Sequence, residues 1–371
     1  MFGLFRIYLA LAVMADHLLR VPEFGRAAVF SFFTLSGFLM TMIMARSYGY
    51  GLAGFASFAA NRFLRLFPAY WIALLLTLLI IVATGESKAH ELSKALSIPH
   101  TAWSWAMNLT MAFPSLYPVQ LSPRLFPIVW TLTIELFYYV LIGLGLTRSR
   151  TGTILFLALG LAYHLFGLMA GQALDPRLRL DFHYHSIFAA ALPFAAGAIV
   201  YHYREVLGRL LARRAAALLL LHMATLATAA AAFVAVRLIY GRSAEAQLTV
   251  DLATLAAAVV VSAPVIAALY RPQEFPVSPA LDALLGKFSY PVYLLHLQVS
   301  LFMSWLLFGR YVQGPALFAA SLLPVAALSW AIIRFVEPLF DTIRERVKRD
   351  RRAARQEPIE PAISPASVTH A

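Results

Sequence analysis

Long apolar stretches alternate with short polar connections along nearly the whole chain. A membrane-spanning helix needs about 20 mainly apolar residues, and ten stretches approach or exceed that length. Because backbone groups in lipid must be hydrogen-bonded internally, such stretches predict helices. We therefore expect an all-α integral membrane protein, a bundle of about ten transmembrane helices. They are predicted at about residues 3–20, 27–46, 66–84, 126–146, 151–171, 184–203, 215–240, 248–270, 286–308 and 312–335.

The same pattern divides the chain into a membrane domain and a tail. Residues 1–340 are predicted to form one multi-span domain, and residues 341–371 a basic, disordered cytoplasmic tail. The tail ends in EPIEPAISPASVTHA, which has no apolar periodicity from which to build a packed element. The longest predicted external connection, about residues 85–125, contains WSWAMNLTMAF. This segment suits either a helix at the membrane interface or a simple loop.

Composition and charge narrow the function classes. Apolar residues make up 61% of the chain, more than a soluble domain can bury. Cysteine is absent, which excludes disulfides, thiolate metal sites and acyl-cysteine intermediates. If both termini are cytoplasmic, 20 of the 30 Lys and Arg residues lie on that side, as the positive-inside rule predicts. We therefore expect a multi-pass protein of the cell inner membrane. The basic tail segment RERVKRDRRAAR is assigned to topology and membrane lipids, and no nucleic-acid partner is expected.

The first predicted span carries ionisable residues, which are costly in lipid and indicate a functional site. Arg6 and His17 are 11 residues apart, or three helical turns plus about 20°, so they share one face about 16 Å apart. Asp16 lies about 100° around the helix from His17, too far to be simply its orienting partner. Taken singly, Arg6 could instead be a surface anchor, and His17 could extend to the interface.

Three more polar residues fall inside predicted spans. They are Ser36 in FFTLSGFLM, Glu135 in WTLTIELFYY and His296 at the end of YPVYLLH. When successive spans are placed in alternating directions, all three come out in nearly the same layer as His17. We expect a polar cavity there that opens outward. The alternatives are helix packing for Ser36 beside Gly37, and a hydrogen bond to a neighbouring helix for His296.

A pair of arginines stands at the start of the third predicted span. Arg62 and Arg65 in NRFLRLFPAYW are three residues apart and therefore share a helix face. Two guanidinium groups on one face can bind phosphate oxygens with paired hydrogen bonds. Topology alone would also place arginines here. Pro68, just beyond them, is expected to mark a helix start or a kink.

A metal centre is not expected. The segment DFHYH contains His183 and His185, but residues two apart do not share a helix face, and no further ligand is evident. The chain has no Walker loop and no GxSxG elbow, which weakens nucleotide hydrolysis and serine-hydrolase hypotheses. Asp251, near the outer end of the eighth predicted span, could be a helix cap.

Six of these segments, in this order, resemble the membrane-bound acyltransferase-3 family, whose members O-acylate sugars of bacterial surface and exported glycans. The matching pieces are Arg6 and His17 in the spacing R-x10-H, FFTLSGFL, Arg62 and Arg65 in R-x-x-R before FPAYW, WTLTIELFYY, FSYPVYLLH, and RFVEP around Glu337. The resemblance covers about residues 3–340. The family's frequent Asp-Gly-Leu-Arg-Gly opening is replaced by GLFRIY, which leaves the subfamily open.

The resemblance implies an acyl-CoA-dependent O-acyltransferase. Its donor substrate would be acyl-CoA, usually acetyl-CoA, offered from the cytoplasm, with no permanently bound cofactor. Its acceptor would be a hydroxyl of a glycan or lipid-linked sugar at or beyond the outer face. CoA carries several phosphates, which gives Arg62 and Arg65 an anionic ligand. The acceptor sugar, the acyl chain, the oligomeric state and the roles of Asp16, Asp251 and His296 stay open.

The corresponding mechanistic hypothesis makes His17 the general base that removes the proton of the acceptor hydroxyl. Arg6 would bind donor phosphate or position the pantetheine arm. Glu135 would orient an imidazole or bind the acceptor, and Ser36 would donate a hydrogen bond to the developing oxyanion. A covalent acyl-serine at Ser36 is disfavoured because no base is adjacent in sequence. Two other classes remain: a transporter or flippase for a lipid-linked sugar, and a regulatory membrane protein without catalysis.

Overall fold

The computed structural model describes residues 1–171, 175–273 and 277–356. All regular structure in these ranges is helical, which confirms the predicted all-α fold. Consecutive helices such as α1 and α2, α10 and α11, and α12 and α13 pack side by side across short connections, so they run antiparallel. The helices are α1 Gly3–Leu19, α2 Phe24–Ile43, α3 Leu52–Thr84, α4 Glu86–Leu92, α5 Ala102–Thr110, α6 Val129–Gly143, α7 Arg150–Ala170, α8 Pro176–Leu180, α9 Ala191–Leu211, α10 Ala215–Tyr240, α11 Ala244–Tyr270, α12 Pro279–Phe308, α13 Pro315–Ala331 and α14 Glu337–Gln356.

Seven stretches of the described helices are long and apolar enough to cross a membrane. One stretch, Ala191–Tyr240, contains both α9 and α10, which meet at the turn Ala212–Arg214. Helices α1 and α6, with 17 and 15 residues, fall below that length. The helices follow the predicted spans in order. Because some are shorter than a full span, the predicted number of about ten is approximate.

Two spans begin well before their predicted starts. Helix α3 begins at Leu52 rather than near residue 66, so Arg62, Arg65 and Pro68 all lie within one continuous helix. Helix α12 begins at Pro279 and contains Pro291. Prolines are tolerated inside membrane helices because neighbouring helices can satisfy the freed backbone groups. Pro68 therefore does not mark a helix start.

Residues near both chain ends meet at one end of the bundle, which we call the basic end. The Met1 ammonium donates a hydrogen bond to the Leu269 carbonyl (2.8 Å), and Arg351 Nε donates to the Tyr48 carbonyl (2.9 Å). The amphipathic helix α14 packs against α3 here, where Asn61 Nδ2 donates to the Arg344 carbonyl (3.0 Å).

The prediction of a disordered tail from residue 341 is wrong for residues 341–356, which belong to α14. This segment is stabilised by charge pairs three residues apart, such as Arg344 with Asp341 and Lys348 with Glu345, and by its packing on α3. The remaining predicted tail, residues 357–371, lies outside the described residues.

Small residues bring α2 and α9 close together. A Cβ added at Gly37 would lie 2.1 Å from the Phe194 carbonyl oxygen, and one at Gly197 would lie 1.8 Å from the Thr34 carbonyl oxygen. Close backbone approach through small residues is a usual way to pack helices in lipid. Gly37 therefore serves helix packing, whereas Ser36 beside it makes a different contact, described below.

The long connection after α3 is mainly structured. Helix α5 covers most of WSWAMNLTMAF and begins with a capping box between Thr101 and Ser104. Asn108 on α5 is fully buried, and its carbonyl accepts a hydrogen bond from the Tyr70 hydroxyl of α3 (2.6 Å). The segment forms a helix tied to the bundle, so the simple-loop alternative is wrong.

Candidate active site

Three arginines from two helices converge near the basic end. Arg6 of α1 interacts electrostatically with both Arg62 and Arg65 of α3, and all three side chains are half-buried. Within the described ranges, none of the three forms an ion pair shorter than 4.0 Å. Because like charges repel more strongly as the surroundings become less polar, an anionic ligand would stabilise this cluster. The structure thus joins the predicted R-x10-H arginine to the predicted R-x-x-R pair.

A fourth arginine joins this group from α14. Arg344 interacts electrostatically with Arg62 and Arg65, and Glu337 of the RFVEP segment interacts with Arg65. Arg344 was not a predicted site residue because the whole basic tail had been assigned to topology. A usable signal was present, since Glu337, Asp341 and Arg344 fall at helical spacing on one face.

Arg62 also lines an apolar recess of about 550 Å³ between α3 and α6. Its Nη2 donates to the Asn61 side chain (3.0 Å), whereas its buried Nε has no hydrogen-bond partner among the described residues. A buried donor without a partner costs about 1–3 kcal/mol, so this N–H is available to a ligand oxygen. The other lining residues are Phe55, Phe58, Ala59, Ala60, Phe63, Leu64, Phe67, Leu136, Tyr139 and Val140.

Glu135 accepts two hydrogen bonds on one carboxylate oxygen. The Ser36 hydroxyl donates to Glu135 Oε1 (2.7 Å), and the Tyr139 hydroxyl donates to the same atom. Arg6 lies within electrostatic range of this carboxylate. Among the described residues, no imidazole bonds Glu135, so its predicted partner is replaced here by the Ser36 and Tyr139 hydroxyls. The Ser36 proton is likewise committed to the carboxylate in this state.

A small cavity of about 60 Å³ adjoins Glu135 and lies between α2, α6 and α12. Since one water-sized group needs about 10–15 Å³ by this measure, the cavity accommodates only about four to six such groups. Tyr293 closes part of it, and its hydroxyl shares a hydrogen bond with Thr131 (2.6 Å). The full lining is Val29, Phe32, Phe33, Thr131, Leu132, Glu135, Ser289, Tyr290 and Tyr293.

Beyond Tyr293, His17 of α1 meets His296 of α12, and the contacts assign the protons. His296 Nδ1 lies 2.8 Å from the Tyr293 carbonyl, which can only accept, so Nδ1 carries the hydrogen. In the neutral ring, His296 Nε2 must then accept, and its partner 2.8 Å away, His17 Nδ1, must donate. The lone pair of neutral His17 therefore resides on Nε2. His296 is fully buried, so its side of the pair is shielded from water.

Asp16 lies on the free side of the His17 ring. Its Oδ2 is 4.0 Å from His17 Nε2, and the two side chains are 27% and 30% exposed, respectively. His296, and not Asp16, is thus the orienting partner of His17, which agrees with the 100° offset of Asp16 around α1. Asp16 instead faces Nε2, the nitrogen that would gain a proton. Gln313 fixes the backbone beside them, since its Nε2 donates to the His17 carbonyl (2.6 Å).

The expected single polar layer is wrong; the groups form two tiers. Tyr290 and Tyr293 of α12 both interact electrostatically with Glu135, which places Glu135 between the levels of these two residues. His296 is three residues beyond Tyr293 and six beyond Tyr290 on the same helix, about 5–9 Å at the usual rise. The Ser36–Glu135 pair therefore lies nearer the basic end, and the His17–His296 pair lies nearer the opposite end.

The other ionisable candidates have local partners. His183 Nδ1 pairs with His164 Nδ1 (2.9 Å), and His185 pairs with Asp181 (2.6 Å). In the described part of the chain, no group of three His, Cys, Asp or Glu residues could hold a metal ion. Asp251 lies inside α11, whose N-cap is Ser243, so the cap hypothesis is wrong.

The helical bundle and its two polar tiers indicate a multi-pass membrane protein with a candidate reaction path inside its helices. A family description, the acyltransferase domain of the acyltransferase-3 family, matches residues 2–334. The chain therefore belongs to the acyltransferase-3 family, which confirms the predicted family and a membrane acyltransferase in general. Comparison with curated proteins and with solved structures gives no match.

Proposed function

We propose that this protein transfers an acyl group, expected to be acetyl, from acyl-CoA on the cytoplasmic side to a sugar hydroxyl of a surface or exported glycan. One observation supports the proposal: the arginine cluster at the basic end, the small cavity beside Glu135 and the His17–His296 pair follow one another in this order along the bundle. The positive-inside rule supports a cytoplasmic basic end, with both termini there and the protein in the inner membrane.

The donor binds first to the arginine cluster in this scheme. Arg62 and Arg65 hold CoA phosphates, and Arg6 neutralises a further phosphate or holds the start of the pantetheine arm. Guanidinium groups suit this task because each presents a planar set of N–H donors to phosphate oxygens. The pantetheine arm then passes Ser36 and Glu135, whose oxygens can bond its amides, and brings the thioester to the small cavity.

The cavity supports a short acyl group. An acetyl thioester contributes about four non-hydrogen atoms at the reacting end, which matches a space for about four to six water-sized groups. A long acyl chain would have to displace Phe32, Phe33 or Tyr293. We therefore favour acetyl-CoA as the donor substrate, with no bound cofactor.

His17 supplies the base. Its Nε2 takes the proton of the acceptor hydroxyl as the acceptor oxygen bonds to the thioester carbon. Collapse of the tetrahedral intermediate breaks the carbon–sulfur bond, and the leaving CoA thiolate receives the proton from the imidazolium. His296 holds His17 in the required tautomer, and Asp16 stabilises the imidazolium. Ser36 lies beside the Glu135 carboxylate, so a mechanism through an acyl-serine intermediate is the alternative to be tested.

The test is the release of free CoA from acetyl-CoA by purified protein in lipid, with and without glycan acceptors. We expect acceptor-stimulated release that is lost in His17→Ala. In Arg65→Ala, we expect release to require a higher acetyl-CoA concentration. Arg214→Ala, which removes an exposed arginine at the same end but outside the cluster, is the matched control for charge. If no acyl donor is consumed with any acceptor while a lipid-linked sugar crosses the membrane, the protein is a transporter or flippase and the proposal fails.

A further inference from the structure

A second cavity, at the end of the bundle opposite the basic end, is rich in arginine. It has a volume of about 740 Å³, within the usual range for small-molecule sites. Asp16 lines it, together with Arg20, Arg237 and Arg242, and we call it the arginine vestibule. Its remaining lining residues are Pro22, Phe233, Val234, Leu238, Gly241 and Gln313.

The vestibule adjoins the proposed base through Asp16, which lies on its wall with Oδ2 4.0 Å from His17 Nε2. Arg20 Nε donates a hydrogen bond to Gln313 Oε1, and Gln313 Nε2 donates to the His17 carbonyl (2.6 Å). Because His17 Nε2, the proposed proton acceptor, faces Asp16, a molecule in the vestibule can present a hydroxyl to it from this side.

The charge of the vestibule is unbalanced. Three guanidinium groups face one carboxylate, and in the described ranges neither Arg237 nor Arg242 forms an ion pair within 4.0 Å. The positive-inside rule predicts few arginines at the outer end, so membrane topology does not explain the position of these arginines. A cavity of this charge favours an anion through electrostatic complementarity.

We propose that the arginine vestibule binds an acidic acceptor, a glycan that bears a carboxylate or phosphate near the hydroxyl to be acylated. This inference rests on the proposed function, because it identifies the molecule in the vestibule with the acceptor. Both kinds of anion share the chemistry that guanidinium recognises. Anionic phospholipid headgroups are the alternative ligand of the vestibule, but their binding would not require contact with His17.

The first experiment measures equilibrium binding to the full chain in nanodiscs of phosphatidylcholine only. The probes are trigalacturonate and its methyl ester, which have the same ring hydroxyls and differ in charge, and maltotriose with and without a phosphate. We expect the wild type to bind at least one acidic probe about fivefold to tenfold more tightly than its neutral partner, since each exposed charge contact contributes less than a factor of ten. Which acid is preferred distinguishes carboxylate from phosphate.

Variants assign that preference to the vestibule. The double variant Arg237→Gln with Arg242→Gln should lose the preference for the acid while binding the neutral probe as before. Arg177→Gln, an exposed arginine of α8 outside the vestibule lining, is the matched control and should keep it. Higher salt should weaken binding of the acidic probe alone. Equal binding of acid and neutral probes by the wild type, or an unchanged preference in the double variant, would overturn the proposal.

Acyl transfer is measured separately on the same preparations, so the two proposals can fail independently. If the acid preference depends on Arg237 and Arg242 but acetyl-CoA is never consumed, the proposed function fails and the anion site stands. If acceptor-stimulated CoA release occurs with equal KM for acidic and neutral acceptors, the vestibule proposal fails and the proposed function stands. Binding of phosphatidylserine, but not of acidic glycans, that is lost in the double variant would assign the site to lipid and refute the acceptor.

Discussion

Replacement of His296 by alanine tests the assignment of the His17 tautomer. In the structure, His296 Nδ1 donates to the Tyr293 carbonyl, which leaves His296 Nε2 as the acceptor for His17 Nδ1–H at 2.8 Å. His296→Ala removes that acceptor from a fully buried position. The His17 ring can then rotate or move its proton to Nε2, the atom that we propose as the base.

The size of the effect follows from the lost hydrogen bond. Leaving a buried donor without its partner costs about 1–3 kcal/mol. If this cost falls on the reactive arrangement, and each 1.36 kcal/mol is tenfold in rate, kcat should fall by about 5- to 150-fold. KM for acetyl-CoA should stay within about twofold. The lost hydrogen bond affects only the reacting groups, so the proposed binding of acetyl-CoA at the arginine cluster is unchanged.

The assay is steady-state CoA release in lipid, with kcat and KM determined separately. His296→Gln should restore part of the rate, since an amide can both donate to the Tyr293 carbonyl and accept from His17. His164→Ala is the matched control, because His164 and His183 form a second buried imidazole pair with a 2.9 Å contact outside the site. A kcat unchanged in His296→Ala, or reduced equally in His164→Ala, would refute the tautomer assignment.

Three further substitutions separate the proposed roles. Asp16→Asn should lower kcat about fivefold, because a charge contact at 4.0 Å beside water contributes about 1 kcal/mol to the imidazolium; an unchanged kcat would remove Asp16 from the mechanism. Ser36→Ala should keep kcat within about tenfold, since the lost hydrogen bond to Glu135 contributes about 0.5–1.5 kcal/mol; recovery of a labelled acyl group on Ser36 after incubation with labelled acyl-CoA would establish the acyl-serine route instead. Gly37→Ala should lower the thermal unfolding temperature, with a cost of about 1–3 kcal/mol, because its Cβ would lie 2.1 Å from the Phe194 carbonyl oxygen; Gly208→Ala, whose Cβ would meet nothing closer than 3.7 Å, should be tolerated, and equal losses in both would contradict the packing argument.

Local sequence patterns predict the parts of this protein that depend on a single helix. Apolar length predicts the spans, and the spacing of Arg62 and Arg65 predicts their shared face because both lie within α3. The three turns between Arg6 and His17 likewise follow from helical geometry alone. These residues could therefore be selected before any helix was placed against another.

The contacts between helices could not be predicted in the same way. His296 reaches His17 only because α12 packs against α1 in one particular register, and a slip of one turn would separate them by about 5 Å. The same holds for Ser36 and Glu135, whose pairing depends on the placement of α2 against α6. The depth estimate failed for this reason: helices that start early or late shift a residue by several ångströms, enough to merge two tiers into one layer.

The tail shows a different limit. Its lack of apolar periodicity predicts disorder, yet α14 is amphipathic and packs against α3, where Asn61 donates a hydrogen bond to the Arg344 carbonyl. The composition of the tail alone cannot predict that α3 offers a surface on which this charged helix can pack. Arg344 entered the arginine cluster through that packing.

The most direct test of a reaction path through the bundle is acyl transfer across a sealed membrane. Inverted inner-membrane vesicles containing the protein would receive labelled acetyl-CoA outside, on the side where the proposed topology exposes the basic end, with glycan acceptor enclosed inside. We expect labelled, acylated glycan inside the vesicles from the wild type and none from His17→Ala. With Arg65→Ala, the same product should require about tenfold more acetyl-CoA, as expected for loss of a charge-assisted phosphate contact. Transfer only when donor and acceptor are on the same side would contradict the proposed path.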